Sequence, residues 1–235
     1  MPDESRLSLQ QDTPPPYSHP KSPVTKLKRF LATVDLPAGR RYASYLQIFD
    51  QKAIGQLLND DFAIHVLVDE SQAVVAERFE QLAQNFDIAA AAMAVDREIY
   101  LPEDLLAKVD RCSMLHALEV RSPFLDHELV HFAASLPVEF LQRKRLLKEA
   151  FAGDLPPFVF RRKKMGFAVP IGRWFRGSLR SMLHDALLAG DSFASAHFKK
   201  QEVERLLSEH ARGRDQSQRL YALLMLELWW KSAHP

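Results

Sequence analysis

Between Leu118 and Asp126 the chain sets a carboxylate, a guanidinium and a second carboxylate around an apolar knot, Leu118-Glu119-Val120-Arg121-Ser122-Pro123-Phe124-Leu125-Asp126. A solvated linker has no reason to place Phe and Leu between charges. A loop pinned into a core, presenting Glu119 and Arg121 to a site, does. The plain alternative is a structural ion pair between Glu119 and Arg121 at a tight corner between two helices, and such pairs are commoner than active sites. Further on, Arg161-Arg162-Lys163-Lys164 precedes Met165-Gly166-Phe167. Gly166 lets the backbone pass close to a ligand or take a positive φ, which leaves Lys164 well placed to meet an anion. Four consecutive cations also describe a solvated surface. The aromatics Phe160, Phe167, Trp174 and Phe175 admit a nucleic-acid reading. Phe167, Trp174 and Phe175 are more simply core residues under the loop.

Two further groups could do chemistry. Asp104 and Asp110 could hold a metal or a substrate, or they are a helix-start acid and a partner for Lys108 or Arg111. His127-Glu128-Leu129-Val130-His131 fits H-E-x-x-H, which on a helix stacks two imidazoles for zinc and leaves a glutamate as base. A third ligand is required. Ala134 and Pro137 stand where one class carries Gly and His, and Glu149 has a plausible separation for the other class. Pro137 cuts the helix short, so a zinc hydrolase is the lesser alternative and no metal ligands are expected.

These residues need helices to position them. Pro102 with Glu103 and Asp104 reads as a helix start, running to about Leu118 until Pro123 blocks continuation. Asp126 caps a helix from 127 to 136, closed by Pro137. Residues 143–151 form a basic helix, and 158–177 an irregular basic and aromatic loop. Upstream, two short helices fill 26–60, with Asp50 as an N-cap. Residues 61–68 alternate like a strand, and 71–85 are a helix with Val74, Val75, Phe79 and Leu82 inward. Downstream, helices are predicted at 179–188, 201–209 and 218–231, the last burying Leu220, Leu223, Leu224 and Trp229. Residues 1–25, with Pro14-Pro15-Pro16, Pro20 and Pro23, read as a disordered tail, and 26–235 as one mainly α domain.

Composition narrows the class. The 235 residues are 47% hydrophobic, enough for a sizeable core, and a formal net charge of +1 gives no field pointing to nucleic acid or membrane. The longest apolar run, 88–95, is far below the roughly 20 residues of a membrane span. One cysteine, Cys112, forbids an internal disulfide and suits a reducing cytoplasm. It reads as a small buried apolar residue. Eight glycines are few for a nucleotide-binding, Gly-rich fold.

Four blocks carry a family resemblance. Residues 100–111, the Glu119 to Asp126 stretch, Arg162-Lys163-Lys164-Met165-Gly166-Phe167-Ala168-Val169-Pro170, and the tail from Gln218 to Trp229 occur in the order found in the synthetase half of glutamine-dependent asparagine synthetases. The resemblance covers roughly 26–232. It implies ATP- and magnesium-dependent adenylation of aspartate or a related carboxylate, followed by attack of glutamine-derived ammonia. It places Lys164 against the ATP phosphates, where it would neutralise developing charge. It puts Glu119 at the pocket's edge to orient groups or relay a proton, with Arg121 fixing it. Arg121, Gly166 and Asp104 join Lys164 as substrate or ATP contacts.

Equally informative is what these residues lack. The family's Ser-Gly-Gly-x-Asp-Ser phosphate loop, its metal-binding Gly-Asp-Glu block, the parallel strands that carry them and the Met-Cys start of the glutaminase are not in this sequence. The expectation is therefore a helical C-terminal portion of a synthetase domain without its parallel-sheet core. It would be inactive alone, a relic, an interaction module, or one part of a split enzyme. Its partner would be an upstream nucleotide-binding or glutaminase polypeptide, or a second copy.

Overall fold

The computed structural model describes residues 27, 30–31, 33–66, 68–162 and 169–234, with backbone alone for 68–72. The N-terminal tail, Lys164, Gly166 and Phe167 lie outside the described residues. The helices are α1 (Ala38–Leu46), α2 (Gln51–Leu57), α3 (Asp60–Ala63), α4 (Val68–Ala83), α5 (Ile88–Val95), α6 (Ala107–Met114), α7 (His127–Ala134) and α8 (Val138–Leu141). They continue as α9 (Arg145–Ala150), α10 (Pro157–Arg161), α11 (Ile171–Arg176), α12 (Arg180–Leu188), α13 (Phe193–His197), α14 (Lys200–Ala211) and α15 (Ser217–Ala233). Among the described residues the only β pairing is an isolated bridge, Leu58 with Phe198, so the fold is mainly α. Contacts divide the chain into two compact units, one containing Ser44–Ser71 and Val169–Pro235, the other Pro37–Ala43 and Gln72–Ala168.

The first unit has a dense core. Leu183 and Leu187 of α12, Val203, Leu206 and Leu207 of α14, and Leu220, Leu223 and Leu224 of α15 are buried at helical spacing, with Phe175 and Phe193 between them. Asp50 caps α2 by accepting from the Ala53 amide at 2.8 Å, as its sequence position implies. The alternating pattern at 61–68 does not make a strand. Asn59 accepts from the Phe62 amide at 2.8 Å and starts α3, whose first turn carries Asp60 and Asp61 at the positive end of the dipole. Capping and dipole outweigh the alternation. Trp229 is also a correction: it is exposed, and Trp230 faces inward against Phe193, ring centroids 5.0 Å apart. The inward row of α15 continues Leu220, Leu223, Leu224 with Glu227, which is 1% exposed.

The second unit is buried only near its beginning. Phe79 of α4 packs on Ala91 and Val95 of α5, and Tyr42 of α1 stacks on Phe79 at 5.2 Å. Val74, expected inward, is exposed, and Ala76 is buried in its place. Gly39 permits the close approach of α1 to α4: a Cβ there would sit 2.5 Å from the Ala76 carbonyl oxygen, and the Gly39 amide donates to Glu80 at 2.7 Å. Asp87 caps α5 through the Ala89 and Ala90 amides.

The helix predicted to begin at Pro102 begins far earlier. α5 passes without a break into a π-helical stretch, Asp96–Leu106, and then into α6, with Pro102 inside. The wider π turn relieves the clash between a proline ring and the carbonyl one turn back. Arg78 grips Glu98 with Nε at 2.6 Å and Nη2 at 3.0 Å, holding this stretch to α4. Cys112 is exposed rather than buried. The expected loop at 158–177 contains α10 and α11. No described residue between Asp96 and Trp174 is buried.

Candidate functional site

The path into the Glu119 stretch is a helix stop built on alanine. Ala117 takes φ 52°, and the Leu118 amide donates to the Ser113 carbonyl at 3.0 Å. That is a Schellman ending with alanine where glycine is usual. The chain then extends, makes one 3-10 turn at Pro123–Leu125, and enters α7. Asp126 accepts from the Glu128 amide at 3.0 Å and the Leu129 amide at 3.2 Å, so its carboxylate is a helix cap, as the sequence suggests.

Arg121 Nε donates to Glu119 Oε1 at 2.6 Å, with the arginine side chain 86% and the glutamate side chain 72% exposed. The pair forms in water, where it contributes little to stability. Phe124 and Leu125 are exposed too. The loop is therefore not pinned into a core among the described residues, which corrects the expectation drawn from its apolar knot. The local contacts of Asp104 are different: Lys108 Nζ lies 3.7 Å away. The Asp104 carboxylate beside Tyr100 raises the tyrosine above its usual range, burial adding to it. Glu119 with Arg121, and Asp104 with Tyr100 and Lys108, are two separate local contacts. Phe175 is buried as expected, whereas Trp174 is exposed.

One grouping escaped the sequence. An open cavity of about 400 Å³ is bordered by Glu139, Gln142, Arg143, Arg145, Lys148 and Glu149 at the α8–α9 corner. Arg145 pairs with Glu149 at 2.7 Å and lies over the Phe140 ring at 5.4 Å. Arg143 and Lys144 both adopt left-handed backbone, φ 53° and 57°, which delays α9 to Arg145 and fans three cations around the corner. Neither residue is one that favours this conformation, so the turn had no sequence signal beyond the charge run itself. Around His127, Glu128 and His131, and elsewhere among the described residues, no group of three or more His, Cys, Asp or Glu is placed to hold a metal.

A helical fold with exposed charged loops defines only a class, a mainly α protein. The comparisons name it: residues 6–231 match the family model described as asparagine synthase, and the chain belongs to that family. It is 28% identical over 198 residues to asparagine synthetase [glutamine-hydrolyzing] 1 of Bacillus subtilis (strain 168), covering 82% of this chain and 30% of that protein. With asparagine synthetase [glutamine-hydrolyzing] 3 of the same strain it shares 39% identity over 70 residues, 28% of this chain and 11% of the relative. The chain thus spans under a third of the length of these relatives. No solved structure matches it. No helix among the described residues is long and apolar enough to cross a membrane.

Proposed function

We propose that the chain supplies one wall of an asparagine-synthase-type site, in which ATP adenylates aspartate or a related carboxylate and glutamine-derived ammonia then forms the amide. The opposite wall, with the phosphate loop and magnesium ligands, lies outside these 235 residues. One observation carries the reading: a segment that matches the family leaves every described residue from Asp96 to Trp174 unburied, although it is rich in Leu, Val and Phe. Apolar surface on this scale belongs against another layer.

In the completed site Lys164 would neutralise charge developing on the phosphates, with Gly166 allowing close backbone approach. Arg121 would hold Glu119 in place to orient the reacting groups or relay a proton, and Asp104 would line the substrate side. Magnesium has no fit among the described carboxylates, which are dispersed. The single exposed cysteine suits a cytoplasmic setting.

The test is co-expression with a nucleotide-binding synthetase half, followed by pull-down and assay of ATP conversion to AMP with aspartate and ammonia. The lone chain is expected to give no AMP, and the complex to give AMP that Lys164→Ala abolishes. AMP from the lone chain would overturn the reading. A stable complex with no turnover would favour a non-catalytic interaction module, for which the same exposed surface speaks.

A further inference from the structure

We propose that His210 is an acid-sensitive latch: neutral, it ties α11 to the corner between α14 and α15, and protonated, it releases that corner. His210 is 2% exposed in the last turn of α14. The Gln216 amide lies 3.1 Å from Nδ1 and can only donate, so Nδ1 carries no proton. Nε2 therefore bears the hydrogen and donates it to the Gly172 carbonyl at 2.9 Å. One ring thus spans two elements through two backbone groups, and the heavy atoms alone fix its tautomer. The seat is tight, since a Cβ at Gly172 would stand 3.5 Å from His210 Cε1 and 3.3 Å from Asp215 Oδ1.

Charged groups face the ring from both sides. From α11, Arg176 Nη1 is 3.5 Å from Nε2. From the corner, Asp215 Oδ1 is 3.5 Å from Nδ1. On its own helix, Glu209 is occupied by Arg205, Arg214 and the Gln216 amide group. Phe175 presents an edge at 6.4 Å. Burial foremost pushes His210 below the ordinary 6.5; the Gly172 carbonyl opposes this, Arg176 reinforces it and Asp215 opposes it.

A second proton must go on Nδ1, where the Gln216 N–H already points. Two donors then oppose one another and Gln216 has to leave. Asp215 can accept the new N–H while its Oδ1 keeps the Ser217 amide at 3.0 Å, since a carboxylate has lone pairs for both. Protonation therefore exchanges the Gln216 bond, which ties the corner to the ring, for a pairing with Asp215. Because the folded pKa is depressed, the latch's stabilisation is complete above 6.5 and is lost as pH falls from there through the folded value. The helix it holds, α11, is the one that follows the Arg161–Lys164 run in the sequence.

The test follows the histidine ring resonances of the whole chain by NMR from pH 8 to 5, together with exchange of the Gln216 amide. His210 is expected to stay neutral below 6.5, and Gln216 exchange, corrected for its intrinsic pH dependence, to rise at least about tenfold as the ring titrates. Arg176→Gln should move the midpoint up and Asp215→Asn should move it down, each by several tenths of a pH unit or more. A ring that titrates at or above its ordinary value, a Gln216 amide indifferent to the titration, or midpoints that fail to move in opposite directions would overturn the latch.

Discussion

Glu227 stands where the repeat of α15 calls for leucine. Its Oε2 accepts from the Ala194 amide at 3.2 Å, and Lys231 Nζ lies 3.5 Å from Oε1. Oε1 is buried without a hydrogen-bond partner among the described residues. Glu227→Ala should therefore strand the Ala194 N–H and leave a void, lowering urea-unfolding stability by about 2–4 kcal/mol. Glu227→Gln keeps the acceptor and should lose less than half of that. Ala117 is the opposite case, an alanine held at φ 52°. Ala117→Gly should raise stability by about 0.5–1 kcal/mol in the same measurement, because glycine takes this conformation without the Cβ clash. The Glu119–Arg121 pair was legible from two charges at close spacing, but its exposure was not. Arg121→Ala should change the stability of the isolated chain by less than about 0.5 kcal/mol. A larger loss would mean that the pair supports the fold and not a surface awaiting a partner.

At the scale of elements, the caps at Asp50 and Asp126 were readable and the interruptions were not. Asp50 and Asp126 declare helix starts because a short carboxylate satisfies backbone amides that have no helical partner. Asp87 does the same for α5, where the run of alanines after it carries no periodicity to mark a helix. Asp87→Ala should cost about 1 kcal/mol, read as faster amide exchange through Ala91 and into the π stretch. Pro102 misled for a physical reason. Proline after a mixed stretch usually opens a helix, and inside one it needs a kink or a wider turn such as this π stretch. The apparent strand at 61–68 failed because alternation over few residues is weaker than an Asn cap followed by two acids. Left-handed Arg143 and Lys144 were out of reach altogether, as nothing in their side chains favours that backbone.

Across the whole molecule, family and helical class were legible because they rest on many residues in order, whereas burial was not. Burial depends on what a helix meets, and no described residue from Asp96 to Trp174 is buried. The two units should therefore respond differently to opening. In the first, α12, α14 and α15 share buried leucines, so their amides open only with loss of that core. In the second, α6 to α10 expose Leu115, Phe124, Phe132 and Phe158 and have no core to lose. Hydrogen exchange on the isolated chain should show α6–α10 exchanging at least about a hundredfold faster than α12–α15, while a hydrophobic dye binds strongly. Addition of a cognate nucleotide-binding half should slow exchange in α6–α10, leave α12–α15 unchanged, and displace the dye. If α6–α10 are already as protected in the lone chain as α12–α15, they need no covering layer, and the proposed second wall has no place to dock.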